Sequence, residues 1–307
     1  MPRTSAHGLM GSHPDGVQGM KDSSNGRLQT TTVRINSYWL LALPLLLLIA
    51  LLYVYPIVKV LCISFTDPTP GLQNYQLLFT SRPIQRMLWT TLKICIITTT
   101  LSMFFAYIVA YAMLHVGERN RSWMLLFILV PFGVSVLARC FSWLMLLHQQ
   151  GLINTILLGS GLVNEPVTLV RNELGVIIGM VHYMIPYATL PLFANMQGID
   201  LKLVTAARGL GAGSFKAFYH VFLPLSQPGI IAAGLMVFIL ALGFFVTPAI
   251  LGGGKTVMIA EHVSIQVLQL LRWGVGAMLS VVLLVSTALL IIVMTRFVNI
   301  QEMFGAK

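Results

Sequence analysis

TAARGLGAGSFKAFYHVFLP, residues Thr205 to Pro224, is a polar, small-residue island between two long apolar runs. Thr205-Ala206-Ala207 is followed after three residues by Gly211 and, after nine more, by Val221-Phe222-Leu223-Pro224. Gly198-Ile199-Asp200 reads as a turn and N-cap, which predicts a short helix over Leu201 to Leu210. Ala206 and Ala207 give that helix a face with almost no projection, so another protein can approach closely. Gly209, Gly211 and Gly213 permit the chain to turn sharply behind it.

Outward from this island the chain is a membrane protein. Of its 307 residues 57% are hydrophobic and only 9% charged, and the mean hydropathy is +0.84, which no soluble domain of this length carries. Crossing about 30 Å of hydrocarbon as helix takes roughly 20 apolar residues. Six segments qualify, near Trp39 to Phe65, Leu88 to His115, Trp123 to Leu147, Leu174 to Met196, Leu223 to Thr247 and Gly274 to Phe297. The first begins too far in, and is too long, for a cleaved signal peptide.

Six spans put both termini on one side, and the Lys/Arg bias makes that side cytoplasmic. Eleven of the nineteen basic residues fall there, six fall outside, and Lys93 and Arg139 lie within spans. Membrane topology therefore accounts for the net charge of +10, and the basic residues are too dispersed for a nucleic-acid surface. Residues 1–35, rich in Gly, Ser and Thr, read as a disordered cytoplasmic tail. Residues 36–300 form the six-helix domain, with its loop at 198–224, and residues 301–307 a cytoplasmic C-terminus. Cys62, Cys95 and Cys140 sit in or at the ends of apolar spans without metal-ligand spacing, which makes them packing residues and predicts no metal site.

Several residues stand out against this scaffold. Lys93, near the outer end of the second span, is placed to snorkel to the interface. Arg139 lies in the third span, read as one continuous helix, roughly 12 Å from its outer end. A charge at that depth faces protein or water. It either lines the translocation path or ties its helix to carbonyls or a carboxylate, with Glu173 and Glu261 the acids near the outer boundary. The fourth span carries His182, Tyr183, Pro186 and Pro191. The prolines predict a helix kinked against its neighbours, and His182, lacking a second ligand at helical spacing, reads as a hydrogen-bonded core residue that can still face a cavity. Between Asp67 and Met87, short structure is needed to cover Tyr75, Leu77, Leu78 and Phe79. The stretch MIAEHVSIQVLQLLRWG from Met258 has near-helical apolar spacing and reads as an amphipathic outer helix with Glu261, His262 and Arg272 solvated. GGGKT at Gly252 to Thr256 is no nucleotide loop, because Ala249 stands where the first glycine is required. No nucleophile–base or paired-carboxylate arrangement is present either.

The spacing of the Thr205–Pro224 island resembles the EAA loop of bacterial ABC importer permeases, with Thr205 in place of the acid and Val221 in place of Ile. The Pro131, Ser135, Arg139, Trp143, Gly151 and Asn154 pattern, and the later V-T-P and L-G-G-G elements, resemble the polyamine (spermidine/putrescine)-type branch. Phe244 departs from it, since some members carry an acid there. The resemblance implies an all-α, six-span type I ABC importer permease fold without a catalytic centre or cofactor of its own. ATP and Mg would be bound by two cytoplasmic ATPase subunits. It further implies a second permease subunit, an extracytoplasmic solute-binding protein and residence in the bacterial inner membrane. By resemblance, Thr205, Ala206 and Ala207 dock to the ATPase, Gly211 makes the turn, and Leu223 and Pro224 re-enter the membrane. Arg139, Trp143, His182, Tyr183 and Phe244 are the candidates for the translocation path. The substrate implied is a polyamine or related amine. The alternatives are an importer of another solute, such as an amino-acid derivative, and an ion-coupled secondary transporter, although no inverted repeat is visible.

Overall fold

The computed structural model describes residues 38–297, so the readings made for the N-terminal tail and for residues 301–307 lie outside the described residues. The chain divides into two units, Met1–Ala50 and Leu51–Lys307. In the first, α1 (Tyr38–Ile49) is a uniformly apolar helix that holds Pro44. The second unit contains α2 (Tyr55–Thr66), α3 (Gln73–Thr80), α4 (Arg82–His115), α5 (Glu118–Gly133), α6 (Val136–Leu147), α7 (Leu152–Gly159) and α8 (Glu173–Gln197). It continues with α9 (Leu201–Gly209), α10 (Ser214–Ala217), α11 (Leu223–Leu242), α12 (Val246–Leu251), α13 (Ile259–Ser264) and α14 (Trp273–Phe297). Among the described residues every regular element is helical.

Five helical stretches are long and apolar enough to cross a membrane: Ala42–Thr66, Arg82–His115, Glu173–Gln197, Ser214–Leu242 and Trp273–Val293. A sixth is bent. Glu118–Gly133 and Val136–Gly159 meet at 97°, so the third span is not the continuous helix that its hydropathy suggests. The break falls at Val134 and Ser135, both with extended ψ, just after Pro131 and Gly133. Proline lacks an amide hydrogen and glycine resists helix, so the ladder fails there.

α8 is the hub, with 61% of its most apolar window buried, against none of Ala42–Thr66. Met180, Met184, Leu192 and Met196 of α8 pack with Ile94 and Met113 of α4 and with Val237 and Ala241 of α11 in one core. α8 remains a single helix through Pro186 and Pro191. α4 begins at Arg82, two turns before the apolar run, and α3 fills the preceding connection as the sequence required. Tyr75, Leu77 and Leu78 are covered in a second cluster with Ile84, Met87 and Met278, while Phe79 stays 81% exposed.

The fifth span also differs from its sequence reading. It starts at Ser214, not Leu223, and ends at Leu242, leaving Thr247 on the separate α12. Pro224 is therefore inside the span. A π turn over Phe218–Phe222, closed by Leu223 N–H on Phe218 O, widens the helix just before the pyrrolidine ring, where an α ladder would clash.

Candidate functional site

Two groups of residues are candidates for the functional site. The first is the Thr205 island. Asp200 caps α9, its carboxylate accepting from Lys202 N–H at 2.9 Å. Thr205 sits in the middle of α9 and donates its hydroxyl to Leu201 O at 3.2 Å. Its side chain therefore caps no helix end. The end of α9 closes as a Schellman motif: Ala212 N–H bonds Ala207 O at 3.1 Å, Gly211 N–H bonds Arg208 O at 3.0 Å, and Gly211 takes φ +92°. That left-handed position is the reason for glycine.

The island is held to the bundle by rings. Tyr111 at the end of α4 meets Phe218 at 5.3 Å and Phe222 at 5.1 Å, both edge-on. Tyr107 shares a hydrogen bond of 3.0 Å with Ser226 on α11, and Phe222 is 1% exposed. The π turn that carries Phe218 and Phe222 thus joins the island rigidly to α4 and α11. On the other side of the island, Leu210 is 90% and Phe215 79% exposed. Emphasis on small side chains missed these two; an apolar pair inside an otherwise polar island was the available signal.

The second group lies about 15 Å along α8 from its start, by helix rise. The five side chains named from the sequence come together there. The Arg139 guanidinium lies 4.9 Å from the centroid of the Tyr183 ring, and Tyr183 packs on Phe244 at 4.6 Å. Trp143 donates its indole N–H to His182 Nδ1 at 3.2 Å. Two further aromatics complete the group: Tyr187, bonded to Tyr183 through their hydroxyls at 3.0 Å, and Phe132, 4.8 Å from Tyr187. Tyr187 follows Tyr183 by one helical turn, a spacing that the sequence displayed.

The break in the third span builds this group. It leaves carbonyls at the end of α5 without amide partners, and Arg139, one turn into α6, donates to Val134 O at 2.7 Å. A cation at a helix C-terminus also meets the negative end of its dipole. Neither acid considered as a partner for Arg139 plays that part. Glu173 pairs with Lys93, so Lys93 ties α4 to α8 instead of snorkelling alone. Glu261 is 6% exposed on α13, not on a solvated helix face. Further anchors are Cys140, in contact with Thr247 at 3.3 Å, and Gly179, where a Cβ would come within 2.5 Å of Leu251. α6, α8 and α12 are thereby locked side by side around the aromatic group.

A multi-helix membrane bundle with a Schellman-closed loop and a polar–aromatic cluster in its middle is the architecture that the sequence resemblance implied for the membrane subunit of an ABC importer. Residues 115–302 match the family described as binding-protein-dependent transport system inner membrane component, and the chain belongs to that family. It is 31% identical over 280 residues to the spermidine/putrescine transport system permease protein PotB of Haemophilus influenzae, covering 89% of this chain and 94% of that one. It is 30% identical over 233 residues to PotB of Escherichia coli K12, covering 76% and 84%. Its fold superposes with TM-score 0.66 on a chain of a bacterial ABC transporter involved in the import of the acidic polysaccharide alginate, at 17% identity and over 88% of this chain and 97% of that one.

Proposed function

We propose that this chain forms one side of the translocation path of an importer for a polyamine or closely related amine. The observation that carries the proposal is the similarity to spermidine/putrescine permeases over most of both chains. The mid-bundle group suits such a cargo, because the faces of Tyr183, Tyr187, Phe244 and Phe132 attract ammonium groups. Arg139 lies over the Tyr183 face, so a passing amine competes with it for that ring.

In this reading Thr205, Ala206, Ala207 and Gly211 seat the loop in a cytoplasmic ATPase subunit, with Leu210 and Phe215 as its apolar anchors. The rings of Tyr111, Phe218 and Phe222 carry the movement into α4 and α11. The termini lie in the cytoplasm, a second permease subunit completes the path, two ATPase subunits supply ATP and Mg, and a solute-binding protein delivers the cargo from outside. The test is ATP-driven uptake of radiolabelled spermidine by the purified complex in proteoliposomes supplied with its binding protein. Saturable uptake supports the reading, and absence of spermidine and putrescine uptake by a complex that hydrolyses ATP refutes it.

Phe244 favours a second reading, an importer of a less charged solute, since an apolar ring stands at the position where a carboxylate would balance a polycation. Uptake of an amino-acid derivative in preference to spermidine in the same assay would select it.

A further inference from the structure

Glu173 opens α8, the helix that carries Tyr183 and Tyr187, at the end of the bundle opposite the Thr205 island. Tyr187 follows it by fourteen residues, close to four turns, so the two lie on one side of α8, about 21 Å apart along its axis. The Glu173 carboxylate is paired with the Lys93 ammonium of α4, and the Lys93 and Glu173 side chains are 45% and 41% exposed. An ion pair this open to water is weakly held. Among the described residues, the other acids at this end are engaged, covered or off the spans. Asp67 accepts from Gly274 N–H at 2.7 Å, Glu261 is buried, and Glu165 lies in the connection between α7 and α8.

The start of α8 does not depend on this carboxylate. Asn172 caps the helix, its side chain accepting from Gly175 N–H at 2.9 Å, so Glu173 is free to change partners. The positive end of a 25-residue helix attracts negative charge there, which steadies the carboxylate when Lys93 leaves. The nearest arginine does not take the place of Lys93. Arg171 holds φ +59° and lays its side chain over Gly253, where a Cβ would come within 2.5 Å of Arg171 Cγ. Lys93 is chemically the end of an amine cargo: each presents a primary ammonium on a flexible alkyl chain, a point charge without the fixed fork of arginine. The pattern recurs about 15 Å inward along α8, where Arg139 rests on the Tyr183 ring. At both depths a cation of the chain sits on a group suited to ammonium.

We infer that Glu173 is an ammonium-binding site at the mouth of the path and that Lys93 is its resident stand-in, displaced by an amine group of the cargo and restored when the cargo moves inward. The inference rests on the amine reading of the cargo. Exchange of one ammonium for another keeps the carboxylate partnered throughout, and the displaced Lys93 reaches water along its flexible stem. A neutral solute offers no charge to exchange, so the pair also discriminates against it.

The test is zero-length coupling with a water-soluble carbodiimide on the whole complex in phosphatidylcholine nanodiscs, read by peptide mass spectrometry. The reagent joins a carboxylate to a touching amine as an amide and takes up the water released. Without added amine the expected product is the Lys93–Glu173 cross-link. Spermidine should abolish it and leave a spermidine amide on Glu173, while sodium chloride at equal ionic strength leaves the cross-link in place. A cross-link that persists in spermidine, or yields equally to salt, would overturn the inference. So would equal coupling of spermidine to the exposed Glu165, which would mean adventitious binding only. Uptake in proteoliposomes separates exchange from a structural tie. Glu173→Gln should slow spermidine uptake about tenfold, the loss of one charged contact, and Glu173→Asp should recover part of it. Lys93→Met, which breaks the same pair, should not slow it; co-purification of the ATPase subunits verifies assembly of each variant. Equal losses in Glu173→Gln and Lys93→Met would make the pair a structural tie and overturn the inference. If spermidine is taken up but never couples to Glu173, the site fails and the amine reading stands. If it couples to Glu173 but is not taken up, the amine reading fails and the ammonium site stands.

Discussion

Arg139 shows how a single side chain follows from the covalent chain around it. Pro131 and Gly133 interrupt the third span, the interruption frees carbonyls, and Arg139 one turn later fills the gap at Val134 O while resting on Tyr183. Arg139→Ala removes both contacts, so ATP-driven uptake should fall severalfold while the complex still assembles; uptake at the wild-type rate would remove Arg139 from the path. The need of this residue for a partner was legible in the sequence, but not which partner, because the break that supplies a carbonyl has the same hydropathy as an unbroken helix. Glu261 offers a pH test. Burial raises its carboxyl above the ordinary 4.5, and a backbone hydrogen bond at Met258 only partly offsets this. A folded pKa above the unfolded one gives stability that is complete below the unfolded value and lost as pH rises through the folded value. Thermal stability of the purified complex should decline across that interval in the wild type and stay flatter in Glu261→Gln. Equal pH profiles for the two proteins would show that the carboxyl is solvated in both states.

At the scale of elements, the π turn over Phe218–Phe222 connects loop and bundle, and the proposed function makes it their mechanical joint. Its rings clasp Tyr111 and Phe222 is buried, so on the proposed reading force applied to α9 passes to α4 and α11. Phe218→Leu keeps most of the apolar surface but removes the edge-to-face pairs, worth about 0.5–1.5 kcal/mol each. Uptake per ATP hydrolysed should therefore drop, as measured by parallel phosphate release and uptake; an unchanged ratio would place the joint elsewhere. The helix over Leu201 to Gly209, its Asp200 cap and its Gly211 turn were legible, since capping and left-handed turns have local sequence signals. The π turn was not, because Leu-Pro signals a helix start only when the preceding residues are not already helical. Nor was the bend of 97° in the third span, where proline and glycine marked a weakness without its angle.

On the scale of the whole molecule, composition and the spacing of apolar runs sufficed for a multi-span helical protein, as hydrocarbon thickness fixes segment length. They did not reveal that α8 is the buried hub, because α8 is no more apolar than its neighbours and differs only in having helices on every side. The gathering of Arg139, Trp143, His182, Tyr183 and Phe244 was likewise invisible, since α6, α8 and the connection between α11 and α12 supply them. In the proposed function, energy enters at Thr205–Gly211 and cargo passes through the aromatic group, with α4 and α11 between. The direct measurement is uptake and ATP hydrolysis side by side in proteoliposomes holding the complete complex with Ala207→Glu or Gly211→Trp in this chain. The first puts a charge on the smooth face of α9, and the second puts a bulky side chain at φ +92°, where no residue but glycine is at ease. We predict that both variants insert and assemble, that ATP hydrolysis persists, and that uptake is lost. Uptake at the wild-type rate in both would contradict the assignment of this loop as the point where energy enters.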